Sequence, residues 1–254
     1  MLARTLTTTT AAASASSSRF PLSPYFSFSS PLTRASLSSI RKALVDNYKH
    51  VHPDQSETHA AVLIPLCNVN NVPGILFEVR GKLRTHSGET DASLLHAALR
   101  ETREEVGIHP EQIEILGQVG PPQRSLGGMR VWPFVGFVYP SAESRNDNID
   151  DADAPLPSLS MSSLSISHPE VANAFHLPFS EMISPARLRT HLFRGDEPCW
   201  AITVSDIVDQ EGVGWASDPA QRDEIGGDRG ERLEVWGLTG WYLSLLMKVF
   251  EVYR

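Results

Sequence analysis

Three acids on one short stretch could do chemistry. Residues 97–108 read Ala-Ala-Leu-Arg-Glu-Thr-Arg-Glu-Glu-Val-Gly-Ile, with carboxylates at Glu101, Glu104 and Glu105. On a helix, residues three and four apart share a face, so these carboxylates crowd one stripe. Crowded like charges repel, and each is driven toward protonation. A divalent cation relieves the conflict, and clustered carboxylate oxygens suit hard metals such as Mg2+ or Mn2+. Arg100 precedes the first acid and can steady the group through a bidentate pair. Gly107 stops the helix as a glycine at C′ does. Against this stands the plain alternative that a charge-rich turn is a solvated face with weak ion pairs.

The order of residues favours the chemical reading. Arg100, Glu101, Glu104, Glu105, Gly107 and Ile108 match the second half of the pattern G-x5-E-x7-R-E-U-x-E-E-x-G-U, with Thr102 in the aliphatic position. This half-motif resembles the Nudix box of the Nudix hydrolases. Upstream, Leu83-Arg84-x-His86-x-Gly88-Glu89 resembles a signature of the coenzyme A diphosphatase branch, and Trp236-Gly237-Leu238-Thr239 resembles its closing motif. The resemblance is interrupted: about ten residues that the family places between Glu89 and Thr90, including a glycine pair, do not occur here. Asp91 is left as the candidate for the upstream acid. Glu170, ahead of an aliphatic segment, is a further candidate acid over the site.

The resemblance implies an α/β fold, a Nudix-type α/β/α sandwich with a mixed β-sheet. It implies a metal set of Glu101, Glu104 and Glu105, with Mg2+ or Mn2+ as cofactor and Arg100 orienting the acids. It implies substrate contacts from Arg84, His86 and Gly88. The reaction implied is hydrolysis of the diphosphate of CoA or acyl-CoA to 4′-phosphopantetheine, or its acyl form, and adenosine 3′,5′-bisphosphate. Two alternatives stay open: another nucleoside diphosphate derivative as substrate, or a Nudix-fold binding protein impaired by the missing loop. The partner expected is a small molecule; homodimer formation is left open.

The rest of the chain must position these groups. Its 254 residues are 41% hydrophobic, enough for one sizeable domain with a packed core. A formal net charge of −8 offers no bulk attraction to nucleic acid. No apolar run is long enough to span a bilayer. Cys67 and Cys199 lack metal or redox spacing and fit a reducing compartment.

Residues 1–35 carry Arg4, Arg19 and Arg34 but no acid, and are rich in Ser, Thr and Ala. That is the composition of a disordered extension or an organelle transit peptide, with mitochondria as first destination and peroxisome or cytoplasm as alternatives. Residues 36–254 are expected to form the catalytic domain.

Within that domain a helix is expected over 36–50, capped by Ser36 or Ser38. Strands are expected over 60–67 and 75–79 around a turn at 70–74, and again over 113–119 and 131–139. Residues 120–130 read as a loop bordering the pocket. The Ser/Asp/Pro-rich stretch 141–167 reads as a mobile surface insertion. A short helix follows over 184–193 with Pro185 in its first turn. A strand over 200–204, a loop over 209–231 and a final helix over 235–252 complete the expected order.

Overall fold

A computed structural model describes residues 22–48, 52–54, 56–80, 91–146, 151–167, 170–208 and 233–253. The main sheet is mixed. Strand β1 (His59–Val69) turns into β2 (Val72–Arg80), and β3 (Ile113–Gln118), β4 (Gln123–Arg124), β5 (Arg130–Val138) and β6 (Val171–Pro178) join them. The spatial order is β3-β5-β1-β2-β6, with β4 paired to β5. Strands β1 and β5 run parallel, while the other neighbours are antiparallel. A second sheet holds β7 (Leu188–Phe193), β8 (Glu197–Thr203) and β9 (Glu234–Val235).

Helices cover both faces of the main sheet. Helix α1 (Arg34–Asn47) and the last helix, α5 (Gly237–Val249), pack on one face, where Leu37, Ile40, Leu44 and Leu246 meet Ile64, Leu66, Val135, Phe137 and Leu177. Helix α2 (Leu94–Val106) covers the other face. There Val106 meets Cys67, Leu76 and Val138, and Ala98 meets Trp132 and Phe134. Alternation along each strand sends odd and even side chains to opposite layers, which is how one sheet feeds two cores. Short helices α3 (Ala142–Asn146) and α4 (Phe179–Met182) flank β5 and β6. The expected α/β/α arrangement on a mixed sheet is therefore present.

Several expectations need correction. The first helix starts at Arg34, and its cap is Thr33, whose hydroxyl accepts from the Ser36 N–H at 3.1 Å. The extension does not run to residue 35, because Phe28 and Leu32 are buried and Phe26 and Phe28 lie against Phe179. The β1–β2 turn is Asn70-Asn71, with φ of 49° and 62°, a two-residue hairpin turn; Pro73 and Gly74 already belong to β2.

The helix expected over 184–193 is instead mostly β7, paired with β8 from Leu188↔Ile202 to Phe193↔Glu197. Its inward residues bury against α5, with Phe193 stacked on Trp241 at 5.0 Å. The final helix opens at Gly237, because Val235 is taken up by β9. The insertion over 141–167 is ordered where described: Leu156 and Leu159 are buried, and Leu156 N–H bonds Leu32 O at 2.9 Å. The loop expected over 209–231 lies outside the described residues.

Candidate functional site

Helix α2 forms where the acid-rich pattern asked for it. The Ser93 side chain accepts from the His96 N–H at 3.2 Å and caps the first turn. Gly107 closes the last turn with φ of 76°, a left-handed conformation that glycine adopts without strain. Ala98 and Val106 are buried against the sheet, which leaves the acidic stripe toward solvent. Thr102, in the aliphatic position of the motif, donates its hydroxyl to Ala98 O at 2.8 Å. Its polar group is thereby satisfied within the helix, so the hydroxyl is tolerated on a half-buried side.

Arg100 is the hub. Its Nε and Nη2 donate to the two carboxylate oxygens of Asp91 at 3.1 and 3.0 Å. Nη2 also donates to Glu101 Oε1 at 2.8 Å, and Nη1 to Glu104 Oε2 at 2.7 Å. One guanidinium thus gathers three carboxylates, two from its own helix and one from the segment that enters it. The bidentate pair holds the Asp91 carboxyl below the usual carboxylate range, and the acids push the Arg100 guanidinium further up. Asp91 is 19% exposed at its side chain, whereas Glu101 and Glu104 are 46% and 45% exposed, so the latter two face solvent.

The other expected residues are distributed differently. Glu105 is half-buried on α2, and its carbonyl accepts from Ser167 N–H at 3.0 Å. Arg84, His86 and Gly88 lie outside the described residues. Glu170 stands at the foot of β6, where its N–H bonds Ser167 O at 2.9 Å; it is not one of the carboxylates that Arg100 gathers in the described part. Among the described residues, no three acidic, histidine or cysteine groups converge to hold a metal ion. The three-acid cage expected from Glu101, Glu104 and Glu105 is therefore not preformed. The donor chemistry still suits Mg2+ or Mn2+: Glu101 and Glu104 each spend one oxygen on Arg100, and a hydrated Mg2+ needs only one or two carboxylates.

Three features escaped the sequence reading. Asn68 is fully buried and joins segments far apart in sequence; no local pattern announces it. Glu78 on β2 follows Leu76, which packs on the α2 side, and Phe77, which packs on the other; alternation therefore places an acid on the α2 side of the sheet. His176 also lies on that side, beside Gly74, where a Cβ would sit 2.4 Å from its ring Nε2. Burial pushes this imidazole down to about 4, while a hydrogen bond to the Cys67 backbone opposes the shift.

No family profile matches the chain. Curated relatives do. The chain is 36% identical over 139 residues to NudL, an uncharacterized Nudix hydrolase of Citrobacter koseri, covering 50% of this chain and 61% of that protein. It is 42% identical over 101 residues to the NudL of Salmonella paratyphi B, covering 35% of this chain and 52% of that protein. Over about half of its length, this chain is similar in sequence to Nudix hydrolases. It spans only about half to three-fifths of the length of the NudL proteins it matches. Solved structures of a Caenorhabditis elegans Ap4A hydrolase (18% identical, 48% of this chain and 82% of that one, TM-score 0.33) and of the NUDIX domain of Shewanella oneidensis NrtR with ADP ribose (15% identical, 56% and 85%, TM-score 0.34) show a likeness too loose to argue from.

Proposed function

We propose that this chain is a Nudix diphosphatase that hydrolyses the diphosphate of CoA or acyl-CoA. The observation that carries the reading is the Arg100 hub, which brings Asp91, Glu101 and Glu104 to one place beside a helix that matches the second half of the Nudix box. The choice of CoA rests on the resemblance of 83–89 and 236–239 to the CoA diphosphatase branch.

In this reading Glu101, Glu104 and Glu105 hold Mg2+ or Mn2+. When bound, such a cation neutralises charge building on phosphoryl oxygens and makes water a better nucleophile. Arg100 keeps Glu101 and Glu104 side by side, so that both carboxylates are at hand for the cation. Asp91 holds the guanidinium through both its oxygens and stops it from swinging toward the substrate phosphates. A carboxylate of the stripe takes the proton that water gives up as the new P–O bond forms and the anhydride P–O bond breaks. Arg84, His86 and Gly88 contact the substrate phosphates in this scheme.

Incubating the full chain with CoA and Mg2+ should yield 4′-phosphopantetheine and adenosine 3′,5′-bisphosphate. Turnover of ADP-ribose or a dinucleotide instead, with CoA untouched, would move the assignment to another nucleoside diphosphate derivative. The stretch missing between Glu89 and Thr90 favours one second reading, a binding protein without turnover. Calorimetry would then show CoA binding with no product. The mitochondrial address of the N-terminal segment is likewise a proposal, and a reporter fused to residues 1–35 that stays cytosolic would end it.

A further inference from the structure

The Ser-rich stretch that follows α3 does something its composition does not advertise. Residues 155–167 run as a strap across three parts of the fold. At its start Pro155 bridges Thr33. Asn68, fully buried at the end of β1, then fastens it: Oδ1 accepts from Leu32 N–H at 2.8 Å, and Nδ2 donates to Leu32 O at 3.1 Å and to Leu156 O at 3.0 Å. The Asn68 carbonyl takes Leu159 N–H at 2.7 Å. Leu159 is buried in the same cluster as Val106 and Ile108, with Met161 and Leu164 packed against it.

The strap ends on the acid-bearing helix. An α-helix leaves its last carbonyls without partners inside the helix. Gly107 N–H takes Arg103 O at 2.9 Å. Ser165 N–H donates to Val106 O at 3.1 Å, and Ser167 N–H to Glu105 O at 3.0 Å. The fit is close, since a Cβ on Gly107 would sit 2.7 Å from the Ser165 Cβ. Ser167 O then receives both Glu170 and Val171 N–H, so the strap leads directly into β6.

We propose that this strap is a positioning element for α2, one that fixes the axial height and rotation of Glu101, Glu104 and Glu105 above the sheet. It rests on the reading of those acids as the cation-holding group. The acids ride on one rigid helix, so a clamp on its last carbonyls sets the height of all three. The clamp is made by backbone N–H groups rather than by serine hydroxyls. Its anchor at Asn68 ties that height to the segment around Leu32, which enters α1.

The test removes one N–H. Ser165→Pro deletes the donor to Val106, whereas Ser165→Ala keeps it and loses only the hydroxyl; Ser162→Pro alters an exposed strap residue that is not one of the α2 caps. Amide exchange over residues 103–108 should speed up about tenfold in Ser165→Pro and stay as in the unaltered chain in the other two. Mn2+ affinity by calorimetry should weaken about tenfold in Ser165→Pro only. In the unaltered chain, the amides of Ser165 and Ser167 should open together with those of the last α2 turn across mild denaturant, a measurement that needs no variant to fold. Independent opening, or unchanged exchange at 103–108 in a folded Ser165→Pro, overturns the positioning role. If the unaltered chain neither binds Mn2+ nor turns over CoA, the functional reading fails, and the exchange data alone still decide whether the strap positions α2.

Discussion

The two faces of the main sheet differ in what they hold. On the side of α1 and α5 lies one continuous apolar layer that extends to the second sheet and to Phe26, Phe28 and Leu32 ahead of α1. On the side of α2 the apolar contacts break into two smaller clusters, and polar groups sit between or beside them: His176 near Cys67, Glu78 on β2, and the Arg100 hub at the rim. The first face is built for burial, and the second gives up part of that burial to polar and charged groups. The continuous apolar layer and the polar groups thus lie on opposite sides of one sheet, so distant changes on the two sides should add nearly independently.

Breaking the first face should cost the most stability. Phe179 is fully buried and its ring meets Phe26, Phe28 and Phe250. Phe179→Ala should lower unfolding free energy by about 3–5 kcal/mol, read as a shift in the urea midpoint.

His176 sharpens the contrast through pH. Its imidazole is held neutral in the fold, with a pKa of about 4 against an ordinary 6.5, because burial disfavours the cation. The unfolded chain therefore binds the extra proton first, and stability that is complete above pH 6.5 declines as pH falls toward 4. The decline should amount to about 3 kcal/mol. In His176→Leu that part of the pH slope should vanish, whereas a slope identical to that of the unaltered chain would mean that the imidazole is not buried neutral.

Arg100→Ala should act on chemistry instead. It leaves three acids without their shared cation, and about a hundredfold loss of CoA turnover is expected with at most about 1 kcal/mol of stability lost. The smallest effect belongs to a residue that serves neither face. Val45 is 66% exposed on the outer side of α1, and Val45→Ser should stay within about 0.5 kcal/mol with unaltered turnover.

The parts of this arrangement that the sequence revealed are those set by local rules. Helix α2 was legible because a helical stripe over 97–106 and a closing glycine at Gly107 agree, while its Ser93 cap came only with the structure. The strands β1, β2, β3 and β5 were legible from apolar runs between turn residues. What failed depended on distant partners. Residues 188–193 passed for a helix behind Pro185, yet pairing with β8 and stacking of Phe193 on Trp241 decide for strand. The strap looked mobile because Ser, Asp and Pro dominate it, while two leucines and the carbonyls of Asn68, Glu105 and Val106 hold it in place. At the site, the Arg100 pairing was foreseeable from spacing. That Asp91 takes the guanidinium through both its oxygens was not, since it depends on how the chain enters α2.

The most direct measurement compares CoA hydrolysis in the presence of Mg2+ for the full chain and its Glu104→Gln variant, with thermal unfolding recorded for both. The account predicts that the variant melts within a few degrees of the unaltered chain while turnover falls about a hundredfold or more. Equal turnover in a folded Glu104→Gln protein would contradict it, for the carboxylates of α2 would then not be the groups that do the chemistry.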